Sequence, residues 1–389
     1  MEQPIWIALF FIAIAIGYAL GRRDRRRRHS NRMKNLSHEY MRGLNFLLNE
    51  QPDKAVDIFV NSLDVNANTI DTHLGLARLF RKRGEVDRAT RIHSNLLEQQ
   101  DLPAEVREDV QLELARDYIA AGVLDRAEII LQEMLERGTR CEAQVMRHLM
   151  SIFEQEKDWH NALAVGDRLM VRDNTVAPVL AHYCCELAER LDGEDQMNSA
   201  RRTLRRALAY DPGCVRANLI LGRYEMNEHQ WDNAIRAFRR IRRQDASFFD
   251  EVLDDLERCY VALGREAQLD KLLAKVAIDH PSTSVVLKLA ERLHSRYGEK
   301  AASVFIADYM KAHPTVRGLS RIIEMNIGHT EGSAREHFGI LQSLTQQLLS
   351  EQSFYQCGHC GFDAHHLHWQ CPTCKHWGTL RPQQEQEQH

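Results

Sequence analysis

The sequence predicts an all-α protein: a right-handed superhelix of stacked helix-turn-helix repeats, preceded by a short N-terminal transmembrane helix and followed by a small C-terminal four-cysteine metal-binding domain. Three observations carry this reading. Small residues recur every 33 to 38 residues within amphipathic segments. Residues 5–20 (IWIALFFIAIAIGYAL) are apolar and uncharged. Two Cys-x-x-Cys pairs stand ten residues apart in CGHCGFDAHHLHWQCPTCKHW, residues 357–377.

Composition bounds the alternatives. A chain of 389 residues with 44% hydrophobic and 27% charged residues is long enough for a large core, and nine Pro and 20 Gly leave little room for long disordered tracts. The formal net charge is -4, yet six arginines and one aspartate at 22–28 contribute +5, so the remainder carries -9. An acidic body lacks the basic face that phosphate backbones require, and nucleic acid is not expected as a partner. Of the nine cysteines, Cys141, Cys184, Cys185, Cys214 and Cys259 are scattered through apolar patterns and four crowd the tail. That distribution fits reduced core thiols plus one metal site in a reducing compartment, not a disulfide framework.

The first element, residues 1–21, is read as a transmembrane helix. Its 16 apolar residues span roughly 24 Å at 1.5 Å per residue, enough for a hydrocarbon core once flanking residues and snorkelling arginines are added. A cleaved signal carries positive charge before its apolar stretch; here MEQP precedes it and the arginines follow, which favours an anchor. The positive-inside rule then puts residues 22–38, a basic juxtamembrane linker, and all that follows in the cytoplasm. Beside a membrane the arginines act as a topology signal and a contact for anionic lipid.

Residues 39–316 form about eight repeats. Ala55, Ala89, Ala127, Ala162, Ala200, Ala234, Leu269 and Ala302 follow one another at intervals of 34, 38, 35, 38, 34, 35 and 33 residues. Twelve positions before each stand Gly43, Ala77, Ala115, Met150, Ala188, Gly222, Glu257 and Ala290, and four positions after come large residues such as Phe59, Leu131, Leu204 and Phe238. Pro212, Pro281 and Pro314 fall where a second helix should stop. Units such as LARLFRKRGEVDRATRIHSNLL and LGRYEMNEHQWDNAIRAFRRI read as two amphipathic helices around a polar turn. This pattern resembles the tetratricopeptide repeat. No unit can bury its apolar face alone; stacking buries it and leaves a concave groove able to hold protein partners. Insertions are expected near EQQDLPAEV and in LDGEDQ, and the seventh unit, with Glu257 and Leu269, is the most degenerate. Residues 317–350 are expected to supply two capping helices.

No phosphate loop, HExxH, GxSxG or GxGxxG motif is present, so the chain is not expected to be an enzyme. His93, His148 and His182 read as packing residues, as do Phe46, Phe80, Tyr118, Phe153 and Tyr260.

The chemistry lies in residues 351–380, the knuckle domain, with 381–389 as a disordered tail. Each Cys-x-x-Cys sets two thiolates on one turn, and Cys357, Cys360, Cys371 and Cys374 together can fill a tetrahedron around one iron or zinc ion. Four thiolates leave no open coordination position, which marks a structural site. Gly361 permits the left-handed turn of the first knuckle, whereas Lys375 stands where the second would use glycine. The pair resembles a rubredoxin-type or zinc-ribbon knuckle. About 30 residues cannot hold together by burial alone, and a bound metal supplies on the order of 10 kcal/mol. The alternative is a redox carrier or sensor using the same four cysteines. Trp369 and Trp377 are expected to dock the knuckle onto the final helices.

The order of parts, from apolar span and arginine run through GLNFLLNEQPDKAVDIF and RGEVDRATRIH to CGHCGFDAHHLHWQCPTCKHWGTLRP, resembles the lipopolysaccharide assembly protein B family of Gram-negative bacteria. The resemblance implies a single-pass inner-membrane adaptor facing the cytosol that restrains lipopolysaccharide synthesis. Such an adaptor promotes destruction of the lipid A deacetylase by the membrane-bound ATP-dependent zinc protease and gathers lipopolysaccharide assembly proteins. It also implies iron or zinc on the four knuckle cysteines. Whether the chain is a homo-oligomer is left open.

Overall fold

In the computed structural model, residues 70–383 are described apart from 101, 195 and 328–330, together with residues 41–43, 45, 46, 54 and 58. The expected membrane helix, the basic linker and Ala55 lie outside the described residues. Among the described residues, no helix is long and apolar enough to cross a membrane. The chain divides into two compact units, residues 1–156 and 157–389.

The first unit contains α1 (Ile70–Lys82), α2 (Val86–Leu97), α3 (Ala104–Ala120), α4 (Leu124–Arg137) and α5 (Glu142–Gln155). Ala77 on α1 and Ala89 on α2 are fully buried, as are Ala115 on α3 and Ala127 on α4, so the two helices of a hairpin close on small residues. Phe80, Ile92, Leu96 and Val110 fill the spaces between hairpins.

Four positions after Ala89 the pattern yields not a large apolar residue but His93. It is fully buried, and its Nδ1 meets the carboxylate of Asp117. Asp117 also accepts from Arg81 at 2.7 Å, and Arg81 reaches Glu113 at 2.6 Å. Burial alone would raise the Glu113 carboxyl, but Arg81, Arg116 and Arg78 hold it below the ordinary range. A polar network therefore replaces hydrocarbon here, its two acids paired with arginine, while the buried Nε2 of His93 is left without a hydrogen-bond partner among the described residues.

The second unit contains α6 (Trp159–Met170), a 3-10 turn (Asn174–Val176), α7 (Ala177–Gly193), α8 (Met197–Tyr210), α9 (Val215–Asn227) and α10 (Trp231–Gln244). A 3-10 segment (Ala246–Val252) leads into α11 (Leu253–Ala262), then α12 (Glu266–Asp279), α13 (Thr283–Tyr297), α14 (Glu299–Ala312), α15 (Val316–Ile327) and α16 (Ser333–Glu351). Ala162, Ala200, Ala234, Leu269 and Ala302 are all buried, as are Leu204, Phe238, Leu273 and Ile306 four residues after the last four of them. At the corresponding place after Ala162 stands Gly166, where an added Cβ would come within 2.2 Å of Leu180 Cδ2; the leucine fills that space from the next hairpin. Helices α8, α12 and α14 each end two residues before Pro212, Pro281 and Pro314.

Both 38-residue intervals contain a 17-residue first helix, α3 and α7. The expected insertion in LDGEDQ is thus partly a longer helix, since Leu191–Gly193 continue α7. The degenerate seventh unit keeps its place by ion pairing. Glu257 meets Lys288 at 2.8 Å and Arg292 at 2.9 Å, and Arg292 also binds Asp270 and Glu266.

Helices α15 and α16 occupy the stretch expected for two capping helices, and α16 exposes Ile340, Leu341, Leu344 and Leu348. One boundary requires correction, because regular structure extends past residue 380: β1 (Tyr355–Cys357) pairs antiparallel with β2 (Asp363–Ala364) and with β3 (Leu380–Pro382) in the order β2-β1-β3. Backbone ladder bonds and an ion pair of Arg381 with Asp245 at 2.7 Å hold residues that composition alone marks as a polar tail.

Candidate metal centre

The two knuckles repeat one turn. The amide of Gly361 donates to the Cys357 carbonyl and that of Lys375 to the Cys371 carbonyl, each at 2.9 Å. Cys357 N–H donates to Phe362 O at 2.8 Å and Cys371 N–H to His376 O at 2.9 Å. Gly361 has φ 75° and Lys375 φ 59°, so both turns pass through the left-handed region, with a side chain carried there by the lysine. This geometry aims the Phe362 amide at the Cys360 sulfur and the His376 amide at that of Cys374.

The four sulfurs meet within 4.8 Å of one another. Cys357 and Cys374 lie 3.8 Å apart, and Cys360 and Cys371 3.7 Å. A tetrahedron with metal–sulfur bonds of about 2.3 Å has edges of about 3.8 Å, so the spacing suits one ion. Cys357 and Cys371 are buried, Cys374 is half-buried and Cys360 is exposed.

Electrostatics agree with that fit. The Thr379 hydroxyl, 3.2 Å away, and then the His359 and Cys360 amides hold the Cys357 thiol down at about 5. At Cys360 the Phe362 amide favours the thiolate, but local desolvation and the three neighbouring sulfurs outweigh it and push the thiol up to about 12. The chain favours the thiolate at Cys357 and disfavours it at Cys360 and Cys374, an opposition that the positive charge of an ion would remove. His359 and His376 stack at 3.8 Å on the exposed side beside Cys374.

The second knuckle also supplies the contact with the repeats. Gly378 N–H donates to Trp369 O at 2.7 Å, and Gln370 bridges to Trp377, which sets the two indoles on one short hairpin. Trp377 stacks on His182 of α7 with centroids 5.3 Å apart and meets Tyr183 and Trp159 edge-on at 6.0 and 6.3 Å. Trp369 stacks on Phe248 at 5.7 Å. Arg216 of α9, 3% exposed, lies 5.9 and 6.0 Å from the two indoles and is paired with Glu186 and Glu189. Tyr355 Oη donates to Glu251 at 2.5 Å. The tryptophans therefore dock on the middle of the second unit, not on the final helices. Their aromatic partners come from α6, α7 and the 3-10 segment, which no local pattern in the tail could reveal.

His182 is pushed down to about 3, first by burial and then by the Arg216 guanidinium, so it packs as a neutral ring. His148 accepts from Arg116 Nε at 3.0 Å and is likewise pushed down, to about 4. The packing roles expected for His93, His148 and His182 match these placements, although Asp117 as the partner of His93 was hidden by a separation of 24 residues.

Helical hairpins stacked on small residues and a cluster of four cysteines on paired knuckles define a tetratricopeptide-type repeat protein with a rubredoxin-type metal domain, consistent with one structural metal ion. Family models agree: one described as a rubredoxin metal binding domain matches residues 355–382, and one described as a tetratricopeptide repeat matches residues 186–247. The chain is 33% identical over 373 residues to lipopolysaccharide assembly protein B of Escherichia coli (strain K12), covering 95% of this chain and 96% of that protein. It is 30% identical over 388 residues to lipopolysaccharide assembly protein B of Haemophilus influenzae, covering 97% of each. A solved tetratricopeptide repeat protein from Parabacteroides merdae matches 72% of this chain and all of its own with a TM-score of 0.34 and 13% identity. The chain belongs to the lipopolysaccharide assembly protein B family.

Proposed function

We propose that this protein is a non-enzymatic adaptor in lipopolysaccharide assembly, tethered to the inner membrane by residues 1–21 with its bulk on the cytoplasmic side. The observation that carries this reading is the match along 95% of the chain to a relative named for lipopolysaccharide assembly. Repeats of this type bind other proteins through exposed first-helix residues, and the family resemblance supplies the clients: the lipid A deacetylase and the membrane-bound ATP-dependent protease. Tethering confines both partners to one surface, so a weakly held client is presented repeatedly at high effective concentration. Cys357, Cys360, Cys371 and Cys374 are the ligands of one iron or zinc ion whose work is to hold the knuckle in shape against the repeats.

Photo-crosslinking in cells from exposed first-helix positions, Arg78 and Arg147 among them, followed by mass spectrometry tests this reading. Recovery of the protease or the deacetylase supports it; a small-molecule adduct with no protein partner contradicts it. A metal assay with optical spectra separates the redox alternative: reversible bleaching of a ferric–thiolate band at physiological potential favours an electron carrier, and a stoichiometric ion that does not cycle favours a staple.

A further inference from the structure

A cavity of about 260 Å³ on the second unit is walled by Arg236, Arg239, Arg240, Arg242 and Arg243, with Phe249 and Leu272 as its apolar side. All five arginines come from α10, WDNAIRAFRRIRRQ, whose other face buries Ala234, Ile235, Ala237, Phe238 and Ile241. Core packing thus dictates where the helix sits and leaves its cations around one concavity. Of the five, Arg242 meets an acid, Asp279 at 3.3 Å. Arg236 bonds to the neutral amide oxygen of Asn233. Among the described residues Arg239, Arg240 and Arg243 enter no ion pair. The only acid of α10, Asp232, is held by Arg265 at 2.6 Å.

In the same unit Arg206 is matched by Asp167, Arg216 by two glutamates and Arg292 by three acids, whereas α10 gathers its arginines round one concavity with a single acid among their partners in the described residues. An unneutralised group of guanidiniums in one concavity is repulsive by itself and attracts a multivalent anion. We propose that this cavity binds a phosphoryl group. A carboxylate carries one charge and two acceptor oxygens, which would leave most of the cluster unneutralised. A phosphomonoester or pyrophosphate carries more charge and at least three oxygens for planar guanidinium forks. Phe249 and Leu272 give the cavity an apolar side, while Arg236, Arg239, Arg240 and Arg243 are exposed and reachable from solvent.

The test uses the full chain in detergent, with inorganic pyrophosphate and, separately, dihexanoyl phosphatidic acid as probes, followed by calorimetry and thermal unfolding. Arg22–Arg28 also attracts anions, so the comparison is between wild type, the R239Q/R240Q/R243Q variant and a R202Q/R205Q control on α8. We expect one saturable site per chain, binding weakened at least about tenfold in the triple variant and unchanged in the control. The probe should raise the melting temperature of wild type but not of the triple variant. Tighter binding of pyrophosphate identifies a free phosphate as the source, and tighter binding of the phosphatidate a lipid headgroup; either supports the site. Binding of neither probe, equal binding by the triple variant, or tighter binding of an acidic peptide than of both overturns it.

Discussion

Lys375 and Gly361 occupy the same place in the two knuckles, and only the lysine carries a Cβ into the left-handed region, at φ 59°. Left-handed backbone costs an ordinary residue about 1–2 kcal/mol, part of which glycine returns through its own entropy on folding. Lys375→Gly should therefore stabilise the knuckle by about 1 kcal/mol, read as slower metal loss to a chelator. Faster loss would show that the lysine side chain contributes more than its backbone strain costs. His182 offers a test through pH. A histidine in the unfolded chain takes up a proton near 6.5, whereas here the ring is held at about 3. Between those values the unfolded state binds more protons, so stability falls as pH falls, and the group has no effect above that window. Relative to His182→Gln, the wild type should lose about 1.4 kcal/mol of stability between about pH 7.5 and about pH 5.5, measured by denaturant unfolding. Equal losses in both proteins would mean that His182 protonates without leaving its stack on Trp377.

At the scale of elements, the repeat period is visible in sequence because small residues are compulsory where two helices touch. Gly222 of α9 shows how tightly: a Cβ there would meet Phe238 Cε1 at 2.3 Å, and Phe238 is fully buried. Gly222→Ala should destabilise the second unit by about 1–3 kcal/mol, seen as a lower denaturation midpoint; an unchanged midpoint would mean that the ring finds another rotamer at no cost. The turn between paired helices carries a second rule that the small-residue alignment did not reveal. Five residues before the aligned small position, Gly84, Gly122, Lys157, His229 and Gly264 have positive φ, and before Ala302 the same turn falls one residue later, at Gly298. Because two of these five are not glycine, the signal is diluted in sequence. The four-cysteine cluster was legible because the spacing of the two pairs is itself the geometry of the turns that bring the sulfurs together. The docking surface was not, because Trp159, His182, Arg216 and Phe248 lie more than a hundred residues from the tryptophans they meet. Removal of the ion should unfold β1–β3 and shift tryptophan emission to the red while the helical signal from the repeats persists. Retained amide protection in Tyr355–Cys357 after chelation would show that the docked indoles alone suffice.

For the molecule as a whole, the two parts of the chain are stabilised differently. The repeats bury their apolar faces on one another, and the knuckle, too small to fold by burial, relies on its ion and on the contact around Arg216. Helical class and the metal cluster followed from periodicity and cysteine spacing. The length of the first helices and the end of the terminal strand did not, because they depend on what the neighbouring segment packs against. The central claim is that the chain acts by bringing a client to a membrane-bound protease. The most direct measurement is the lifetime of the lipid A deacetylase in cells lacking this protein, complemented with the full chain or with a form lacking residues 1–28. A lifetime shortened by the full chain and left long by the truncated form is the expected result; equal lifetimes with and without the full chain would contradict it.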